Sequence, residues 1–96
     1  MADYTISTSQ VSTPSLSIAA GAQDRITFTG RYAGKVRVVI HSGSSPLWVT
    51  ADGRDPNPAL GFAYPALPGV SEIGSRGVPS VVRVHATGPT TYSVEK

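Results

Sequence analysis

Ten glycines and eight prolines fall along the whole length of a 96-residue chain, and no stretch of helical periodicity survives between them. Glycine lets the backbone turn through positive φ, and proline removes a hydrogen-bond donor, so each punctuates the chain. The runs in between are short and alternating. Tyr4 and Ile6 share one phase of a first run, and Leu16 and Ile18 share one phase of a second. Ile26 and Phe28 alternate with Arg25, Thr27 and Thr29, and Val36, Val38 and Ile40 stand opposite Arg37 and His41. Leu47 and Val49 oppose Trp48 and Thr50, and Phe62 and Tyr64 follow a loop rich in Pro and Asn. Residues 70–73 make a weak strand, Val82 and Val84 alternate with Arg83 and His85, and Tyr92 and Val94 close the series. A period of two marks half-buried strands. About seven to nine such strands, parted by turns, predict an all-β chain: an antiparallel β-sandwich or a small barrel.

The length allows one domain. Residues 15–96 are read as a single β-sandwich domain. Residues 1–14 are polar, with little to bury beyond Tyr4, Ile6 and Val11, and are read as an edge strand or an arm that pairs with something else. The densest apolar run, residues 36–40, is placed centrally with both faces partly buried, and residues 81–84 supply a second core strand. Sheet order stays open, because many sandwich topologies share this pattern.

The charges narrow the functional classes. Eight basic and six acidic residues give +2, and no two bases are adjacent. A nucleic-acid binder concentrates its bases in a stripe or motif, so none is expected as a partner. The longest strongly apolar run is too short to cross a bilayer, so no membrane is expected either. The first residues carry neither a basic stretch nor an apolar run, so no secretory signal is expected. Without cysteine there is no disulfide and no thiolate metal site, which favours folding in a reducing cytoplasm.

The segment Leu47-Trp48-Val49-Thr50-Ala51-Asp52-Gly53-Arg54-Asp55-Pro56 is the most specific in the chain. It holds the only tryptophan on a strand that ends in two turn signals, Asp52-Gly53 and Asp55-Pro56. Asp52 and Asp55 are close enough to offer oxygens to calcium, but calcium takes six to eight oxygens and the EF-hand spacing is missing. The reading is therefore a structural turn of Asp52, Gly53, Asp55 and Pro56, in which the carboxylates accept local backbone N–H groups. Trp48 is read as a core anchor, and Phe62 with it. The other reading of Trp48, Tyr32, Phe62, Tyr64 and Tyr92 is a stacking platform for sugars or single-stranded nucleic acid. His41 and His85 lie at polar phases of two strands and would come together if those strands paired, without a third metal ligand. Residues 30–34 make no phosphate loop, because no helix follows, and no serine lies in a nucleophile elbow. No catalytic residue, metal site or cofactor is expected, and the chain is read as not an enzyme.

Residues 48–56, Trp-Val-Thr-Ala-Asp-Gly-Arg-Asp-Pro, resemble the strand-turn signature of immunoglobulin-like modules attached to bacterial carbohydrate-active enzymes. They are more similar to small virion proteins of tailed bacteriophages, in which such a turn precedes a segment like Leu67-Pro68-Gly69-Val70. Residues 82–88 and Tyr92-Ser93-Val94-Glu95 match the closing pattern of those chains, and the resemblance spans residues 24–96. It implies a capsid decoration (cement) protein that binds the major capsid protein of the assembled head. It implies assembly in the host cytoplasm, location on the capsid surface, and a homo-oligomer, by analogy a trimer. The alternatives are a tail or fibre component and a carbohydrate-binding or adhesion module.

Overall fold

The computed structural model describes residues 2–7, 12–29, 34–43, 46–75 and 80–95. Nine strands account for most of them: β1 (Ala2–Ile6), β2 (Leu16–Ile18), β3 (Gln23–Phe28), β4 (Gly34–Ser42), β5 (Leu47–Thr50), β6 (Tyr64–Ala66), β7 (Gly69–Ser75), β8 (Ser80–Ala86) and β9 (Thr90–Glu95). They form a five-stranded sheet in the order β1-β3-β8-β5-β6 and a four-stranded sheet in the order β2-β9-β4-β7. The chain is an all-β sandwich. Among the described residues, one 3-10 turn, Pro58–Leu60, interrupts the strands.

Alternation decides which residues meet between the sheets. Ile26, Phe28, Leu47, Val49, Val82 and Val84 point in from the larger sheet, and Leu16, Ile18, Val36, Val38, Ile40, Tyr92 and Val94 from the smaller. Fully burying each aliphatic side chain favours folding by about 1.5–3 kcal/mol before chain entropy is set against it. The runs at 36–40 and 81–84 lie inside their sheets, β4 between β9 and β7, and β8 between β3 and β5. Val39, in the opposite phase of β4, is half-buried on the outer face.

One inward position on β3 is polar. Asp24 shares the phase of Ile26 and Phe28 and is buried, and its Oδ2 accepts a hydrogen bond of 2.7 Å from the hydroxyl of Tyr92 on β9. This bond ties the two sheets together across the core. It also answers the desolvation cost that an unpaired buried carboxyl would carry. Burial and the adjacent carboxyl both push the Tyr92 phenol far above its ordinary value of 10.0.

Two features depart from an all-antiparallel expectation. β1 runs parallel to β3, with Ala2 opposite Asp24 and Ile6 opposite Phe28. The N-terminal residues 2–6 are thus an edge strand of the larger sheet, and the Thr29 amide and hydroxyl both donate to the Ile6 carbonyl. Ser12 and Thr13 then bridge to β9, where the Thr13 amide donates to the Val94 carbonyl at 2.9 Å. The second departure is a register shift between β4 and β9 at Ile40 and Ser42, which brings Gly43 under the β8–β9 connection. At Gly43 φ is +115°, and an added Cβ would lie 2.9 Å from the Pro89 carbonyl oxygen. Gly43→Ala is therefore expected to cost about 1–3 kcal/mol, read as a lowered midpoint in urea unfolding.

Candidate functional site

The turn after β5 folds back over the outer face of the larger sheet. The Thr50 hydroxyl donates to the Arg54 carbonyl at 2.6 Å, and Asp52 Oδ1 accepts from the Arg54 amide at 3.2 Å. Gly53 takes φ +82°, a conformation in which other residues are strained. Asp55 Oδ1 accepts from the Asn57 amide at 2.9 Å and from Gln23 Nε2 on β3 at 3.1 Å. Pro56 is fully buried by this fold-back.

Gln23 joins the turn to two further strand residues. Its Oε1 accepts from Arg83 Nη2 at 3.0 Å, and its Nε2 lies 3.3 Å from His85 Nδ1. The Asn57 amide first, and then Gln23, hold the Asp55 carboxyl below its ordinary 3.8. A depressed carboxyl contributes stability that is present above its unfolded value and lost as pH falls through the folded one. Asp55→Asn keeps an oxygen for the Asn57 amide and removes the charge. The melting temperatures of parent and variant are expected to differ at neutral pH and to converge below pH 3.8. A constant gap down to strong acid would place the stabilisation elsewhere.

The aromatic residues lie differently from the expectation. Trp48 is half-buried on the outer face, opposite His85 and Pro65, while Leu47 and Val49 hold the core positions on either side of it. Strand phase overrides side-chain bulk here, so Trp48 is not a core anchor. Phe62 lies outside any strand and is exposed, with the Arg54 guanidinium 4.8 Å above its ring. Of the five platform candidates, Tyr92 is core, Tyr32 lies outside the described residues, and Tyr64 is exposed. The two histidines lie on different sheets. His85 is in the β8 network, and His41 Nε2 is 3.0 Å from Ser93 Oγ on the open face of the other sheet. Among the described residues, no three of His, Cys, Asp or Glu converge.

What does stand out is apolar. Among the described residues, the exposed large hydrophobic ones are Leu60, Phe62, Tyr64, Leu67 and Val70, each between 46% and 64% accessible, and all fall within eleven positions. Local geometry turns them outward. Asn57 Oδ1 accepts from the Ala59 amide at 3.0 Å, and Gly61, at φ +80°, closes the 3-10 turn, leaving Leu60 and Phe62 in solvent. In β6 only Ala66 is buried; Tyr64 shares its phase, opposite Val49, yet stays exposed at the edge of the sheet. The chain then passes through Leu67 and Pro68 to Gly69, at φ +104°, and crosses from the edge of one sheet to the edge of the other. Residues 56–71 contain no Asp, Glu, Lys or Arg. Single exposed apolar residues are ordinary, but five within one short segment mark a candidate interaction surface. Residues 70–73 read only as a weak strand and 56–58 as a loop rich in Pro and Asn; nothing in their order gave the exposure of Leu60 and Leu67.

No protein-family model matches this chain, and neither a curated protein nor a solved structure does.

Proposed function

We propose that this is a non-enzymatic structural protein of a tailed-bacteriophage virion, a decoration protein that docks on the assembled head through the segment from Leu60 to Leu67. The observation that carries the reading is the run of exposed apolar side chains within a segment that has no charged residue of its own. The strand and turn motifs at residues 48–56 and 82–95 support it. The partner is the major capsid protein. Binding to the mature lattice, and not to free subunits, stabilises the head by mass action, and many copies together need only modest contacts each.

The test is sedimentation of the purified protein with heads of the encoding phage that lack it. Saturable binding at a fixed ratio to the major capsid protein is expected. Recovery on tails alone would make it a tail component, and absence from both would reject the virion reading.

A further inference from the structure

The two sheets have four edges, at β1, β2, β6 and β7. A free edge is a template for another strand, and proteins blunt such edges with charge, proline or short length. β2 is three residues long, and β6 is three residues with Pro65 at its centre. β1 carries the exposed Asp3, paired with Arg25 at 2.7 Å. β7 differs. It runs for seven residues without proline and, among the described residues, pairs only with β4. Its single charge, Glu72, is drawn sideways to Arg37 on its own sheet at 3.3 Å.

We propose that β7 pairs antiparallel with β7 of a second copy, joining two four-stranded sheets into one. Self-complementarity favours a copy as the occupant. Residues 69–71 of β7 carry no charge, and its one carboxylate, Glu72, has its cation, Arg37, on its own sheet, so two copies meet at this edge without net repulsion. A two-fold axis through Ser71 sets Val70 opposite Glu72 of the copy, with no like charges facing each other. An axis through Glu72 would oppose two carboxylates and is disfavoured. The pairing also closes on itself: each β7 covers the other, and the joined sheet ends at the short β2 on both sides. Val70, more than half exposed, brings apolar area to the contact. This inference does not depend on head binding.

Sedimentation velocity across a wide concentration range, joined to amide hydrogen exchange, tests it. The parent is expected to form a dimer in which the β7 amides exchange more slowly than in the monomer. Val70→Lys, at an exposed edge position, is expected to lose the dimer while keeping the parent's melting curve. Tyr64→Ala, in the exposed apolar run but off the β7 edge, is expected to keep it. A monomer at every concentration, a trimer, or a dimer whose β7 amides gain no protection would overturn the proposal.

Discussion

Tyr92→Ala is expected to leave this domain barely folded. Emptying a buried aromatic site costs about 3–5 kcal/mol. Removing the hydroxyl strands the Asp24 carboxyl between the sheets for about 1–3 kcal/mol more. A domain of this size has roughly 5–14 kcal/mol in total. Tyr92→Phe separates the two contributions, because it keeps the ring and loses only the bond to Asp24. Urea unfolding of the three proteins measures both, and a Phe variant as stable as the parent would mean that the bond adds nothing. The phenol also sets an alkaline limit. Its value is raised in the folded state, so its stabilisation is complete below the unfolded value of 10.0 and is lost as pH rises above it. Each pH unit beyond that point costs about 1.4 kcal/mol, a loss that Tyr92→Phe is expected to escape.

The exposed apolar run predicts the opposite separation, with binding lost and stability kept. Tyr64, Phe62 and Leu67 are exposed, so truncating each to alanine should change stability by no more than about 0.5 kcal/mol. An aromatic residue at the centre of an interface commonly contributes 2 kcal/mol or more, about 30-fold in affinity. Tyr64→Ala, the most exposed of the five, is expected to weaken head binding by at least that factor, and the Tyr64→Ala/Leu67→Ala pair to abolish it. Binding isotherms on heads lacking the protein measure this. If the double variant bound as the parent does, the docking surface would have to lie elsewhere.

The alternation of small runs made the class of fold readable, because a period of two survives wherever one face of a strand is buried. It also contained information that bulk obscured. Leu47-Trp48-Val49 sets Trp48 against its two neighbours, and those neighbours took the core. Asp24 shares the phase of Ile26 and Phe28, the one local sign that a carboxyl would be buried. Its partner, Tyr92, is 68 residues away, and no local pattern encodes such a pairing. Strand direction is equally silent in a polar segment such as residues 2–6, so the parallel pairing of β1 with β3 could not be read. Separation of His41 and His85 follows from sheet order, which depends on long-range packing. Of the site, the turn at residues 52–56 is encoded by its own side chains, whereas the exposed apolar run exists only because β6 and β7 lie at sheet edges.

The central places in both sheets go to strands made late. β8 joins β3 to β5, and β9 joins β2 to β4, so neither sheet is continuous until residues 80–95 arrive. During synthesis, β1 to β7 can therefore pair only as β1–β3, β4–β7 and β5–β6, without the two strands that complete the sheets around Ile26, Leu47 and Val38. Contacts this distant along the chain make folding slow, on the order of milliseconds to seconds. Each newly made molecule thus spends that interval with its apolar strands open to neighbours, and the yield of native protein is decided then, before any assembly begins.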